Sequence, residues 1–269
     1  RSVSRGLGDV YKRQAGALAN SGGAGFLGAL IGGFLAGYVI KFLRNLFKGL
    51  PKSLDGIKTI LFYPVFGLLI TGFLMLMINV PMKAINDGLN SFLTGLSGTN
   101  AALLGALLAA MMAADLGGPI NKAAYVFGTA TLATTVAEGG SVVMASVMAG
   151  GMVPPLAIFI ATVLFKNKFT KDQKEAGLTN IVMGLSFVTE GAIPFAAADP
   201  LRAIPSFVIG SALTGALVGA FNIQLMAPHG GIFVVLLLSK PLLFLLFILI
   251  GAIVSGIIFG LLKKEVTTA

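Results

Sequence analysis

Residues 242–262, LLFLLFILIGAIVSGIIFGLL, decide the fold class of this chain. The stretch carries no charged residue, and about 20 such residues in a helix cross a hydrocarbon layer of about 30 Å. It is apolar on every side, whereas a strand of a membrane barrel alternates between apolar and polar positions. The stretch therefore predicts a membrane-spanning helix in an all-α protein.

The composition extends this prediction to the rest of the chain. Of 269 residues, 56% are hydrophobic and 11% are charged, whereas ordinary soluble domains have about 25% charged residues. Mean hydropathy is +0.94. We therefore expect a polytopic membrane protein with about seven to nine helical spans, including re-entrant hairpins. The absence of cysteine excludes disulfides, thiolate metal sites and thiol nucleophiles, and the sequence predicts neither a metal site nor a cofactor.

The formal net charge of +9 arises mostly in short loops between apolar runs. Lysine and arginine concentrate in the loops 41–58 and 166–174, as is typical of the cytoplasmic side of a membrane protein. Residues 81–98 are expected to lie flat at the outer interface. We read the charge as membrane topology rather than as a nucleic-acid-binding surface. The even number of apolar spans between the two loops agrees with this: 59–80, 100–114, 121–138 and 141–165.

Residues 1–14 contain neither an initial methionine nor an apolar core, so they are not a secretory signal. We expect this segment to be a disordered leader outside the fold. The next segment, GAGFLGALIGGFLAGYVI at 23–40, predicts a helix that packs closely, because glycines four positions apart let helix backbones approach. The two pairs with this spacing are Gly28 and Gly32, and Gly33 and Gly37.

The pattern changes after the second basic loop. Segments 179–190 and 192–205 are each too short to span the bilayer, and glycine and proline interrupt them. They predict a re-entrant hairpin, because irregular backbone at membrane depth is tolerated only when it is buried in protein or lines a wet cavity. Transporters bind their substrates at such breaks. Residues 206–222 should then cross, a second break falls at APHGG, and 241–262 form the last helix.

Glu190 is the strongest candidate for a substrate contact. It follows the apolar run IVMGLSFVT and precedes GAIPF, so it lies at the turn of the predicted hairpin. A charge inside a membrane costs roughly a few kcal/mol and by default indicates a functional site. A carboxylate there can accept charge-assisted hydrogen bonds from substrate hydroxyl groups. Asp199 and Arg202, three positions apart, predict a structural pair.

Three further polar positions stand near the helix breaks. Asp115 and Lys122 flank the break GGP, and they either form a structural salt bridge or contact the ligand. Asn121, beside the same break, is a neutral donor and acceptor suited to a polyhydroxylated ligand. His229, the only histidine, is a ligand contact, a proton relay or a satisfied loop residue.

Four sequence blocks carry a resemblance to a known family: DLGGPINKAAYVFG at 115–128, GGMVPPLA at 150–157, FVTEGAIPFAAADPLR at 187–202 and LMAPHGGIFV at 225–234. In this order they resemble fructose-specific enzyme IIC, the membrane permease domain of the bacterial phosphoenolpyruvate-dependent sugar phosphotransferase system. The resemblance covers about residues 21–264. It implies a multi-pass protein of the bacterial cytoplasmic membrane that carries fructose or a related sugar, coupled to phosphorylation by a partner, enzyme IIB.

The resemblance also implies the sugar site. In the wider superfamily a glutamate in a re-entrant hairpin contacts the sugar, and Glu190 in TEGAIPF matches it by motif. Other permeases of that superfamily also use a histidine, although the motif around His229 differs from theirs. No residue of this chain is assigned as catalytic. The predicted substrate-binding residues are Glu190, Thr189, Gly191, Pro194, Asn121, Asp115, Lys122 and His229.

The implied enzyme is a protein-phosphohistidine:fructose phosphotransferase, with this chain as its membrane subunit. Because the chain has no cysteine, the donor, a phosphocysteine of IIB, is expected elsewhere, supplied by IIA and the general phosphotransferase proteins. Residues 15–99 are expected to be a scaffold that forms a homodimer in the membrane lipid, 100–264 the substrate-carrying part, and 265–269 a tail. Family members generally have further apolar helices before the glycine-rich one, so we expect a truncated N-terminus.

Two other functions remain open from the residues alone. An ion-coupled secondary transporter also binds its substrate at broken helices. A membrane sensor or structural subunit would bind a sugar without transporting it. Energy coupling separates them, because uptake that requires phosphoenolpyruvate and delivers sugar phosphate indicates a phosphotransferase, whereas uptake abolished by collapse of an ion gradient indicates a secondary transporter.

Overall fold

The structure, a computed structural model, describes residues 2–97 and 100–265. Helices account for the regular elements in these two ranges, apart from isolated bridges near Leu225. The all-α prediction is confirmed. The chain forms two compact units, Arg1–Phe92 and Leu93–Ala269, while we predicted a boundary after residue 99. Of the predicted tail 265–269, the last four positions lie outside the described residues.

Helices of the first unit begin earlier than expected. Residues 1–14 were expected to be disordered, but α1 already runs from Ser2 to Ser21. The physical reason is burial: Tyr11 and Ala15 are almost fully buried, and the Tyr11 hydroxyl donates to the Tyr63 carbonyl. The other helices of this unit are α2 (Gly25–Leu46), the short α3 (Asp55–Ile57) and the first part of α4 (Tyr63–Ser97).

The two glycine pairs of α2 have different surroundings. At Gly32 a Cβ would lie 2.7 Å from the Ala15 Cβ and 3.0 Å from the Met75 sulfur, so this glycine permits close packing within the unit. At Gly33 and Gly37 a Cβ would meet nothing within 4 Å. One pair is therefore used inside the unit, and the other faces outward.

Helix α4 differs from its prediction. We expected a span over 59–80 and a separate interfacial helix over 81–98, but α4 continues through Pro81 to Ser97. Proline removes one backbone hydrogen bond and often kinks a helix. Here the residues on both sides of Pro81 remain helical, so proline alone did not mark a boundary.

The second unit is built around α7, whose apolar stretch is 72% buried. Helices α5, α8, α10 and α11 pack against it. Side-chain oxygens of Asn100, Ser141 and Thr170 cap three of the helices, and proline in the first turn begins others. The helices are α5 (Ala101–Ala114), α6 (Pro119–Thr135), α7 (Val142–Leu164), α8 (Lys171–Leu185), α9 (Ile193–Ala198), α10 (Pro200–Ala220) and α11 (Pro241–Leu262).

The broken region was predicted only in part. The prediction of a last helix over 241–262 is confirmed. The predicted second arm of the hairpin, 192–205, is wrong, because α9 ends at Ala198 and α10 runs from Pro200 through Pro205. The break is at Asp199, because Pro200 occupies the first turn of α10, where proline is favoured. Pro205 lies inside α10 and does not end that helix.

Five helical stretches among the described residues are long and apolar enough to cross a membrane. The apolar α5 is shorter, with 14 residues. Together with the short segments around the breaks, this agrees with a polytopic membrane protein. The five stretches are Gly28–Gly49, Asp55–Ile85, Val142–Leu164, Pro200–Ala220 and Pro241–Leu262.

Candidate functional site

Glu190 lies in a 3-10 turn, Thr189–Ala192, between α8 and α9. The backbone N–H of Val188 donates to the Met183 carbonyl at 2.8 Å and turns the chain after α8. The Thr189 hydroxyl donates to the Gly151 carbonyl of α7 at 2.9 Å, in a fully buried contact. These bonds anchor the turn, while the Glu190 side chain remains 45% exposed.

The loop between α5 and α6 presents Lys122. Backbone N–H groups of Ile120 and Asn121 donate to the Asp115 carboxylate at 2.7 and 2.9 Å, so this carboxylate caps the start of α6. The Asn121 side-chain amide, 1% exposed, donates to the Met112 carbonyl at the end of α5 at 2.7 Å. The ends of α5 and α6 are thus tied together, and Lys122 follows in the first turn of α6.

Lys122 and Glu190 form an ion pair between these two segments. The Lys122 ammonium donates to Glu190 Oε1 at 3.3 Å, and the two residues are 68 positions apart in the chain. Gly117, with a φ of +107°, lies directly against the carboxylate, because a Cβ there would be 2.6 Å from Glu190 Oε1. Any residue with a side chain would displace the carboxylate from this position.

Three rings cluster on segments that include those of the ion pair. Tyr125 is three residues after Lys122 on α6, and residues at this spacing share one helix face. Its ring centroid is 6.2 Å from that of Phe187 and 6.3 Å from that of His229, and the last two are 4.9 Å apart. Gly231 (φ +58°) lets the loop of His229 approach, since a Cβ there would be 2.9 Å from the Phe187 backbone nitrogen.

Two residues of the site segments have strained backbones. Leu116 (φ +49°) precedes Gly117, and Phe187 (φ +62°) lies three residues before Glu190. Non-glycine residues rarely adopt positive φ, and such outliers are frequent at functional sites. The two segments that contribute the ion pair each contain one, which supports a functional role for this region.

The arrangement suits a neutral, hydroxyl-rich ligand. A carboxylate accepts hydrogen bonds from hydroxyl groups, an ammonium donates to hydroxyl oxygens, and ring faces cover the apolar C–H surface of a sugar. Within residues 2–97 and 100–265, no group of three or more His, Cys, Asp or Glu side chains is placed to hold a metal ion. Hydrogen bonding to a polar organic ligand is chemistry that the carboxylate and the ammonium support.

The structure separates the sequence-predicted residues into two groups. Glu190 and Lys122 form an ion pair, and His229 packs against the rings of Phe187 and Tyr125 from the same two segments. Asp115, Asn121 and Thr189 lie beside them with their side chains in the structural hydrogen bonds described above. Of the two alternatives for Lys122 and Asp115, the salt bridge does not form among the described ion pairs, because Lys122 pairs with Glu190.

The remaining predicted residues lie around the turn. Gly191 is buried, and a Cβ there would be 2.5 Å from Asn180 Oδ1, so glycine is needed for this close contact. Pro194 is exposed in the first turn of α9. The Arg202 guanidinium donates to Asp199 Oδ2 at 2.8 Å at the junction of α9 and α10.

Sequence reasoning missed Tyr125 and Phe187. Tyr125 had a usable signal, because it lies one helical turn after Lys122 in the same block, DLGGPINKAAYVFG. Phe187 had none, because a phenylalanine in an apolar run reads as core, and it is indeed only 5% exposed.

Comparison with known proteins identifies the family. The profile of a family described as "Phosphotransferase system, EIIC" matches residues 11–210. The chain belongs to this family. The match begins inside α1, within the segment 1–14 that we expected to be a non-family leader. As an EIIC protein with several apolar helices, it is a multi-pass protein of the cytoplasmic membrane.

Curated relatives of this EIIC chain extend the comparison. It is 52% identical over 253 residues to the PTS system fructose-specific EIIABC component of Bacillus subtilis (strain 168), and the matched region covers 94% of this chain and 39% of the relative. It is 52% identical over 252 residues to the fructose permease IIC component of Bacillus amyloliquefaciens, covering 93% of this chain and 81% of the relative. The PTS system fructose-specific EIIC component of Haloferax volcanii is 42% identical over 266 residues, and the matched region covers 98% of this chain and 68% of the relative. No solved structure matches the chain.

Proposed function

We propose that this EIIC chain binds fructose and carries it across the membrane for phosphorylation by a partner. The observation that carries the proposal is the Glu190–Lys122 ion pair, whose two segments also contribute Tyr125 and Phe187 to a ring cluster with His229. These groups provide an acceptor, a donor and apolar faces from three separate segments, which is what recognition of a hydroxyl-rich ring requires. The relatives with fructose in their names, which are up to 52% identical, support fructose as the sugar.

Six of the predicted site residues then have the following roles. Glu190 accepts hydrogen bonds from sugar hydroxyls and orients the hydroxyl that is phosphorylated. Asp115, Asn121 and Thr189 position the two polypeptide segments through the hydrogen bonds that they make. Gly191 and Pro194 shape the turn that presents Glu190.

The chemical step takes place with a donor outside this sequence. A phosphorylated cysteine of a IIB partner approaches the bound sugar, the P–S bond breaks with its electron pair going to sulfur, and a P–O bond forms to a sugar hydroxyl. The hydroxyl proton passes to the resulting thiolate, so the products are a sugar phosphate and IIB with a free thiol. The added charge of about −1.5 to −2 traps the product, because it cannot cross lipid easily. On this view the chain is the membrane subunit of a fructose phosphotransferase.

The names of relatives support a IIB partner. The Rhodobacter capsulatus relative, 48% identical over 230 residues, is a PTS system fructose-specific EIIB'BC component, of which this chain covers 39%. The chain likewise spans 39% of the Bacillus subtilis EIIABC component. Relatives that carry B segments in the same polypeptide place donor and permease together, and IIA would supply the phosphoryl group upstream.

The test is the energy source of uptake. Vesicles containing the protein and its IIB partner should accumulate fructose as fructose phosphate when phosphoenolpyruvate and the soluble phosphotransferase proteins are present, without any ion gradient. Uptake that continues without phosphoenolpyruvate and stops when a proton or sodium gradient is collapsed would identify a secondary transporter instead. Binding with no uptake under either condition would favour a sensor.

The basic loops 41–58 and 166–174 are proposed to face the cytoplasm, where the IIB partner is. Because the chain has no cysteine, single substitutions Lys48→Cys and Lys171→Cys each give one thiol. A membrane-impermeant maleimide should label both only from the cytoplasmic side. Labelling of either thiol in intact cells would overturn this topology.

We also propose a homodimer in the lipid bilayer. The outward face of α2 forms a groove of about 610 Å³ that includes Gly33, Gly37 and Tyr38. Small residues at this spacing allow a second membrane helix to approach closely. The pair Gly28 and Gly32 already serves that purpose inside the unit, which leaves the outward pair for a second copy.

A further inference from the structure

The ion pair between Lys122 and Glu190 differs from the other ion pairs of the described residues. Those four join residues three or four positions apart on the same stretch of chain. Lys122 and Glu190 instead connect α6 with the turn after α8. Such a pair is not a by-product of helix periodicity, so it calls for a separate explanation.

The hydrogen-bonding capacity of the Lys122 ammonium is only partly used by Glu190. An ammonium group has three donors, and Lys122 makes one hydrogen bond within the described part of the chain. The distance of 3.3 Å is at the long end for a charge-assisted bond, and the two side chains are 34% and 45% exposed. Lys122 can therefore exchange its partner for a ligand group without leaving its place.

Charge balance indicates which ligand group this is. Fructose is neutral, so its binding requires no compensation of charge. A sugar phosphate carries about −1.5 to −2 charge, and it would form within reach of the Glu190 carboxylate, which repels it. The lysine beside Glu190 is the nearest group that offsets this charge.

The start of α6 does not supply that positive charge instead. The N-terminus of a helix commonly binds anions through its free N–H groups. Here the Asp115 carboxylate already accepts from Ile120 and Asn121. The side chain of Lys122 is then the remaining donor of this turn that can reach an incoming anion.

We propose that Lys122 is the phosphate-binding residue of the site. Lys122 pairs with Glu190 as the structure shows. When sugar binds, its hydroxyl groups donate to Glu190 in place of Lys122. When the phosphoryl group is transferred to the sugar, Lys122 binds the phosphate oxygens. The ligand class is a phosphomonoester of the transported sugar. This inference rests on the proposed function. It assigns to the Lys122 ammonium the preferential recognition of the sugar phosphate over the uncharged sugar.

The test compares three ligands on the full chain in lipid nanodiscs by isothermal titration calorimetry at constant ionic strength: fructose, fructose 1-phosphate and fructose 6-phosphate. Lys122→Met should weaken binding of the recognised sugar phosphate about tenfold or more, the size expected for one charge-assisted hydrogen bond. The Kd for fructose should rise by a smaller factor, because the ammonium donates there to an uncharged hydroxyl oxygen, so the ratio of sugar-phosphate affinity to fructose affinity should fall. Lys122→Arg should keep the sugar-phosphate affinity, and Lys166→Met, an exposed lysine in the α7–α8 loop, is the matched control.

A second variant gives the opposite signature. Glu190→Gln removes the repelling charge and releases Lys122, so it should raise the ratio of sugar-phosphate affinity to fructose affinity. Equal losses for fructose and sugar phosphate in Lys122→Met would mean that the lysine only holds Glu190, and no loss for either would remove it from the site. A wild-type chain that binds fructose but neither phosphate contradicts this inference alone, whereas one that binds none of the three contradicts the proposed function.

Discussion

The two units of the chain use their helices differently. In the first unit the apolar stretches Gly28–Gly49 and Asp55–Ile85 are 22% and 17% buried, whereas in the second unit Val142–Leu164 is 72% buried. The second unit therefore has a central helix enclosed by its own neighbours. The two apolar stretches of the first unit have no such enclosure by neighbouring helices of that unit.

Polar side chains join separate segments in both units. In the first unit, Gln14 and Asn79 donate to backbone carbonyls of facing helices at 3.2 and 2.8 Å, which fastens one helix to another. In the second unit, Ser211 and Thr214 likewise donate to carbonyls of neighbouring helices, at 2.9 and 3.2 Å. Such bonds in this unit also hold the loops from which Lys122 and Glu190 extend. A ligand site needs such long-range support, because its groups must stay in place while exposed.

The largest effect that would test this contrast is expected from Glu190→Gln. The amide removes the charge that strengthens hydrogen bonds from sugar hydroxyls, so the Kd for fructose should rise about 10- to 150-fold, or about 1.5–3 kcal/mol. Calorimetric titration measures it. Glu138→Gln, an exposed carboxylate of the same unit, should leave the Kd unchanged, and an unchanged Kd in Glu190→Gln would take Glu190 out of the sugar site.

Gly117→Ala should have the next largest effect. Its methyl group would lie 2.6 Å from Glu190 Oε1, so the carboxylate must move and fructose binding should weaken about tenfold, or about 1.4 kcal/mol. Gly139→Ala is the matched control, because Gly139 has the same φ of +107° but its Cβ would meet only Gln224 Oε1, at 3.4 Å. Similar losses in both variants would attribute the effect to backbone strain.

Thr189→Val separates support from contact. The buried hydroxyl donates to Gly151, and its loss leaves that carbonyl unsatisfied, so stability should fall by about 1–2 kcal/mol. Because the hydroxyl faces α7, fructose affinity should change less than about threefold. Thermal unfolding in detergent and calorimetry measure the two effects. Thr129→Val, which loses only a local bond within α6, is the control, and a large loss of affinity with normal stability would make Thr189 a ligand contact.

Much of the second unit could be predicted from its sequence. Uninterrupted apolar runs of sufficient length indicated α7 and α11, since a helix of about 20 apolar residues has few alternatives in a membrane. The irregular turns at Glu190 and at APHGG were likewise indicated by glycine and proline between short apolar segments. Proline on its own misled, because Pro81 and Pro205 lie inside helices.

The partners within the site could not be predicted. The sequence predicted Lys122 as a candidate site residue, but its pairing with Glu190 depends on how α6 and the turn after α8 pack, and the two residues are 68 positions apart. The ring cluster of Tyr125, Phe187 and His229 joins three segments. No periodicity within a segment carries that information.

The smallest effect on sugar binding is expected from the first unit, in Gly33→Leu. The added side chain would fill the outward groove of α2, where a Cβ now meets nothing, so it should block a second copy without disturbing the unit itself. Tyr38→Cys, on the same groove in a chain without cysteine, should form disulfide-linked dimers in membranes, and adding Gly33→Leu should reduce them severalfold. Gly88→Leu on α4, where a Cβ also meets nothing within 4 Å, should not reduce the disulfide-linked dimers.

The Kd for fructose should stay within about twofold in Gly33→Leu, Tyr38→Cys and Gly88→Leu, because the site residues belong to the second unit alone. A large change of this Kd in Gly33→Leu would mean that the first unit contributes to the sugar site.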